Sequence, residues 1–255
     1  CPESKKEFDV LGTMDDVPSA KLVSDRFEVG RNFCNKVWNA ARFAFINLTE
    51  VGFEPRAIDD LYDEDRWILS RLSSAIEEVQ SELAAYNPAN AIGCAREFFW
   101  SELCDWYLEL IKPRMRSEEE APLARQVLAT VLDQILRMLH PFVPFITEAL
   151  WAKLGEHAPE RGVDQKLSRD ESLMTSAWPT AREDLRDSAL EERFDFLQDV
   201  VRGVRDIRAK YSVPPSEKIN VRVRAEGASQ ETLSGLSSLF QNIAGVESLE
   251  ISSDV

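Results

Sequence analysis

A chain of 255 residues, 44% hydrophobic and 29% charged, can bury a full core as one large domain or two unequal ones, and its composition is that of a globular protein. A net charge of −15 opposes indiscriminate binding to phosphate, and no apolar run approaches the ~20 residues of a spanning helix, so neither DNA binding nor membrane insertion is expected. Cys1, Cys34, Cys94 and Cys104 show no CxxC spacing, and His140 and His157 have no partner at a ligand spacing; no metal site or disulfide framework is expected, and reduced thiols fit a cytoplasmic protein.

The opening CPESKK has neither an initiator Met nor a signal pattern and reads as the cut edge of a longer protein. Residues 1–23, with Gly12 and Pro18, predict an irregular lead-in from a missing upstream domain. Ser24 offers an N-cap, and Arg26 to Leu48 form the stretch around which the chain is organised. At about 100° per residue, Phe27, Cys34, Val37, Trp38, Ala41, Phe45 and Leu48 fall on one apolar stripe, the expected core seam. Asn32, Lys36, Asn39 and Phe43 fall roughly opposite, with Arg31, Asn35 and Arg42 on the flank. Two readings of that second face stand side by side. Either Phe43 is a second packing contact within a bundle, or the face is a platform for single-stranded loop RNA, with Phe stacking on a base, Lys and Arg taking phosphates and Asn reading a base edge.

A second helix is predicted from about Asp59 or Leu61 to Asn87-Pro88, on a stripe of Trp67, Leu72, Ile76, Val79 and Leu83. A third spans Ala89 to Lys112, its aromatics Phe98, Phe99, Trp100, Trp106 and Tyr107 reading as core, and Pro113 ends it. Met115–Ala121 is a charged connector. Pro122 opens a fourth helix with a wide apolar face, Leu128, Val131, Leu132, Ile135, Leu136 and Leu139; His140-Pro141 breaks it, and Pro144 starts a short fifth helix through Leu154. Gly155–Asp170 is polar and irregular, an excursion that Trp178-Pro179 is expected to pin to the bundle.

A long helix follows from about Asp184 to Tyr211, with Leu190, Phe194, Leu197, Val201, Val204 and Ile207 on its buried side. Arg202, Arg205, Arg208 and Lys210 cluster towards its end, as candidate phosphate contacts or as cations favoured at a helix C-terminus. Residues 199–224 carry seven cations against Asp199, Asp206 and Glu217, and residues 26–45 carry Arg26, Arg31, Lys36 and Arg42 against Glu28; both stand out from an acidic background. Lys218–Ala225 alternates as a half-buried strand, Ser229–Asn242 reads as a helix, and Val246–Ile251 as a second strand. The fold class is therefore mainly α, a helical bundle followed by a small β-α-β segment, divided as lead-in 1–23, bundle 24–182, and long basic helix with the α/β unit 183–255.

No phosphate-binding G-x-x-x-x-G-K-[ST] loop, G-x-G-x-x-G turn, G-x-S-x-G elbow or H-E-x-x-H helix is present. No catalytic residue is assigned; a recognition or structural module is expected.

GRNFCNKVWNAARF, FFWSELCDWYLELIKPR, LRMLHPFVPFITEALWAKL, SAWP and VRGVRDIRAKYSVPPSEK resemble, in this order, the C-terminal part of bacterial-type valyl-tRNA synthetases, over roughly Ser24 to Ile251. The resemblance implies the anticodon-binding bundle of a class I aminoacyl-tRNA synthetase, a cytoplasmic, monomeric valine–tRNA ligase using ATP and Mg2+ to join valine to its tRNA. The HIGH and KMSKS signatures, the editing domain and a C-terminal coiled coil of that family are absent from these residues, so no cofactor is expected here and the chain by itself should neither activate nor edit. The partner implied is tRNA of the valine isoacceptors. The anticodon contacts implied are Phe43 and Lys36, with Asn39, Arg31, Asn32 and Arg42 beside them. Isoleucyl and leucyl synthetases share the bundle, and ELCDWYLE fits the valyl branch best. From a different class, a helical scaffold whose Phe43 face binds a partner helix is the alternative.

Overall fold

A computed structural model describes residues 25–48, 52–168, 170–214 and 216–253. The lead-in predicted over 1–23, Cys1 and the Ser24 cap lie outside the described residues. Helices α1 (Asp25–Asn47), α2 (Asp63–Ala84), α3 (Pro88–Glu97), α4 (Leu108–Ile111), α5 (Ala121–Leu139), α6 (Pro144–His157) and α7 (Ser188–Lys210) build the bundle. Proline punctuates them. Pro88, Pro122 and Pro144 sit in the first turns of α3, α5 and α6, where a missing N–H costs nothing and the fixed φ suits a helix.

α5 is the central helix. It is buried almost all round from Gln126 to Leu139, as expected of a helix enclosed by others, and it touches α1, α2, α3 and α6. Trp67 of α2 stacks on Phe194 of α7, with ring centroids 4.9 Å apart and planes 8° from parallel, so the long helix is bound to the same core. Between these helices Arg114 is buried against Glu64 and Asp65, each 2.8 Å away, and the Tyr107 hydroxyl donates to Asp65 at 2.8 Å. Burial pushes the Asp65 carboxyl above its ordinary range, and the guanidinium opposes that push.

The third predicted helix departs from regular geometry. α3 runs into α4 through a π-helical segment, Phe98–Tyr107, whose i→i+5 bonding widens the turn and places Trp100 and Asp105 on one line of the surface. No periodicity signal marks such a segment, because apolar spacing of three to four is compatible with either geometry. Phe98, Phe99, Trp106 and Tyr107 are buried, as predicted, whereas Trp100, also predicted as core, is only half-buried.

The excursion after α6 is tied down by a buried charge cluster. The Asp133 carboxylate of α5 accepts from Arg137 at 2.7 Å and Arg161 at 2.6 Å, and both guanidiniums lie over the Trp151 ring. Arg137 also donates to the carbonyls of Ala177 and Ser168. Gly162, at φ +140°, brings its Cα so close to the Gln165 carbonyl that a Cβ would lie 2.0 Å from that oxygen; the turn requires glycine. Trp178 is partly buried against the core and Pro179 is buried, so this pair does hold the excursion to the bundle.

Beyond α7 the chain forms β1 (Ile219–Arg224), α8 (Gly227–Gly235), α9 (Ser237–Ala244) and β2 (Val246–Ser252). The strands are parallel, with Val221 opposite Leu249 and Val223 opposite Ile251, and α8 and α9 supply the crossover that parallel pairing needs. The single helix predicted over 229–242 is instead two, broken at Leu236, and Gly245 at φ +63° ends α9 in the left-handed conformation that glycine adopts without strain. Ile207, predicted buried, is 59% exposed, because it lies about 100° around the helix from the line of Leu190, Phe194, Leu197, Val201 and Val204, on which Arg208 falls instead.

Arg182 bridges Asp164 at 2.5 Å and Asp184 at 2.5 Å, and its guanidinium holds both carboxyls below the usual carboxylate range. Because their folded values are depressed, the stabilisation is complete above the unfolded carboxylate value near pH 4 and is lost as pH falls through the folded values. Thermal melts of wild type and Arg182→Met should therefore differ most near pH 6 and converge as the pH is lowered through about 4 towards 3.

Candidate nucleic-acid interface

α1 is buried on one side only. Phe33, Val37, Ala41, Ala44, Phe45 and Leu48 enter the core, with Phe33 edge-on to Phe99 of the π-helical segment at 5.8 Å and Phe45 stacked on His157 of α6 at 5.2 Å. The seam is rotated by roughly 40° from the predicted stripe, counted at 100° per residue. Phe33 and Ala44 replace Phe27 and Trp38, which are 74% and 43% exposed, and Cys34 is half-buried. Small side chains at 41 and 44 allow close approach of neighbouring helices and decide the phase that aromatic content alone left open.

Lys36 and Phe43 lie along the border of α1 next to the π-helical segment and α4. The Lys36 ammonium donates to Asp105 Oδ1 at 3.0 Å and sits 4.9 Å from the centroid of the Trp100 ring, which Arg96 approaches at 5.9 Å. Phe43 is half-buried: it packs against the core, yet the Lys112 ammonium lies 6.0 Å from its ring centroid. Lys112 is in turn paired with Glu109 at 2.6 Å. Packing and a part-open ring are thus both true of Phe43.

The most open part of α1 carries Asn32, Asn35, Asn39 and Arg42. All four are exposed, and none of their side chains has a hydrogen-bond or ion-pair partner among the described residues. Arg31 is exposed and pairs with Glu28 at 3.4 Å. No acidic residue occurs from Val29 to Thr49, so the face presents three unengaged amides and the unengaged Arg42, beside the paired Arg31 and Lys36, in a strongly acidic chain.

The four cations near the end of α7 separate into two kinds. Arg202 and Arg205 are exposed and lie 5.6 and 5.3 Å from the Trp106 ring centroid; Arg202 also pairs with Asp199, and Arg205 reaches the Ile243 carbonyl. Lys210 is exposed beside Tyr211. Arg208 is buried, its guanidinium donating to the carbonyls of Pro214, Glu217, Ala244 and Gly245, so it closes the joint between α7 and the α/β unit and is not presented to a phosphate. Helical periodicity carries the signal: Arg208 continues the line of Leu190, Phe194, Leu197, Val201 and Val204, whereas Arg202 and Arg205 lie roughly 60° or more off it.

The described residues contain no group of three or more His, Cys, Asp or Glu side chains placed to hold a metal ion, and no helix among them is long and apolar enough to cross a membrane. Burial pushes the Cys104 thiol up to about 12, and burial with Glu78 nearby takes Cys94 to about 11; neither is a thiolate at neutral pH. A cavity of about 470 Å³ lies between α2, α5 and the excursion, walled by Leu72, Ile76, Gln134, Trp178 and the Asp164–Arg182 pair, and it holds no nucleophile–base arrangement.

These features describe a helical module with one exposed face of α1 rich in amides and cations. A family model described as the anticodon-binding domain of tRNA ligase matches residues 65–223, and the chain belongs to that family. It is similar to the valine–tRNA ligase of Rhodopirellula baltica, 39% identical over 97% of this chain and 24% of the relative, a match that takes in α1. It is also similar to those of Thermotoga maritima, 39% identical over 83% of this chain and 23% of the relative, and of Synechocystis sp., 36% identical over 91% and 26%. The chain thus spans about a quarter of the length of the curated relatives it matches.

Half-exposed ion pairs such as Lys36–Asp105 contribute only ~0.2–1 kcal/mol, so an anion arriving at this border can take Lys36 from Asp105 at little cost. A double-mutant cycle with Lys36→Met and Asp105→Asn, read by urea unfolding, should return a coupling within that ~0.2–1 kcal/mol range. A coupling of several kcal/mol would mark Lys36 as a structural ion committed to the fold.

Proposed function

We propose that this chain binds the anticodon stem-loop of valine tRNAs through the exposed side of α1, as the anticodon-reading part of a valine–tRNA ligase. The observation that carries the reading is the run of unengaged side chains Asn32, Asn35, Asn39 and Arg42 along α1, on a chain whose family is defined by anticodon binding. Asn32, Asn35 and Asn39 offer paired donors and acceptors for base edges, Lys36, Arg31 and Arg42 offer charge for phosphates, and Phe43 offers the open side of its ring for stacking. A chain of net charge −15 repels RNA at long range, so binding depends on matching this face rather than on bulk attraction.

The choice of valine rests on the relatives, all three of which are valine–tRNA ligases. Activation of valine with ATP and Mg2+, and editing, are assigned to other parts of such a ligase, since no phosphate loop or catalytic constellation lies in these residues. Arg202, Arg205 and Lys210 are open to a second, phosphate-only contact with the same RNA.

Binding of a valine anticodon stem-loop, compared with the same stem-loop changed at its middle base, tests the reading. Discrimination of about tenfold, ~1.4 kcal/mol, is expected. Affinity should also fall with salt at a slope of about −0.7 per neutralised phosphate of a single strand. Equal affinity for both loops would contradict anticodon reading.

A further inference from the structure

We propose that Trp38 is a second stacking platform for an unpaired base, on the border of α1 opposite Phe43; the inference rests on the anticodon-loop reading above and adds a residue to its site. Trp38 is 43% exposed, and its indole N–H has no hydrogen-bond partner among the described residues. It lies one helical turn from Asn35 and from Arg42, so its ring stands beside groups that would engage bases and phosphates. Phe45, seven residues on along the same line of the helix, stacks on His157 of α6, which places Trp38 at the α6 border. Phe43 is about 140° away around the helix, at the α4 border beside Lys112. Between the two aromatics runs the ridge of Asn32, Asn35, Asn39 and Arg42, about one helix diameter or ~10 Å across, which has room for more than one splayed base.

The chemistry favours a nucleotide over an apolar partner at this position. Indole offers the largest π-face of any side chain and stacks on every base without regard to sequence, and Arg42 at i+4 can take the phosphate that follows a stacked base. Phe43, part-covered by the core, has only one side to offer, so Trp38 is the more open of the two rings.

The test uses this chain, a valine anticodon stem-loop, and the variants Trp38→Ala, Trp38→Phe and Phe43→Ala. Trp38→Ala should weaken binding at least fivefold, the lower end of what losing one base–aromatic stack costs. Trp38→Phe should stay within about threefold of wild type, since a smaller π-face remains. Both should melt like wild type, and RNA should quench tryptophan emission in wild type but much less in Trp38→Phe. If Trp38→Ala binds as tightly as wild type while Phe43→Ala is weakened, the Trp38 platform is wrong and the anticodon-loop reading stands. If wild type binds no stem-loop, both fall together.

Discussion

The structure turns on the desolvation of one side of α1 and the refusal of its other side to follow. Phe33, wedged edge-on against Phe99, removes from water a ring whose burial is worth ~1.5–3 kcal/mol, and Phe45 repeats this against His157 at the far end. With both ends fixed, rolling the helix to bury Trp38 would withdraw Phe33 and drive Asn35 or Arg42 towards the core without partners, which costs more than exposure of the indole saves. The polar face is therefore presented to solvent by the packing of the face beneath it.

The π-helical segment adjoining α1 completes that arrangement. Its wider turn aligns Trp100 and Asp105 beside Lys36, so the lysine is steered by a ring and a carboxylate while remaining weakly held. Most of the acid is placed elsewhere, on α2, in the connector before α5 and within the excursion, where Glu77 and Asp164 are paired with arginine. A chain of high negative charge can in this way keep one surface suited to RNA while discouraging unspecific adsorption of nucleic acid.

Much of the architecture was legible before any coordinates. Pro88, Pro122 and Pro144 locate helix starts whatever the tertiary context, the wide apolar stripe of α5 announces a central helix, and the alternation in 218–225 announces a strand. What failed was phase and geometry. On α1 aromatic residues fall at 27, 33, 38, 43 and 45, all round the helix, so hydrophobicity alone does not select a face; the alanines at 41 and 44 do, through the close approach they permit. For the same reason the apolar stripe places Trp38 in the core, whereas it is 43% exposed. The π-helical turn has no spacing of its own, whereas the break at Leu236 falls between Gly235 and Ser237-Ser238, weak helix formers whose signal a single-helix reading passes over. Among the α7 cations, the spacing sets Arg208 on the buried line four residues after Val204, but the carbonyls that satisfy it there come from residues up to 37 positions away, which no local pattern shows.

The candidate face was legible in kind more than in detail. Asn32, Asn39 and Arg42 are open as expected, Lys36 and Arg31 are open but engaged, and Phe43 is shared between core and surface. The most direct measurement is a map of backbone amide shifts as a valine anticodon stem-loop is titrated into isotope-labelled protein. The account predicts the largest changes along 31–46 of α1 and at Trp100 and Asp105, with smaller ones near 202–210. Changes confined to the α/β unit or to the cavity beneath the excursion, with α1 silent, would contradict it.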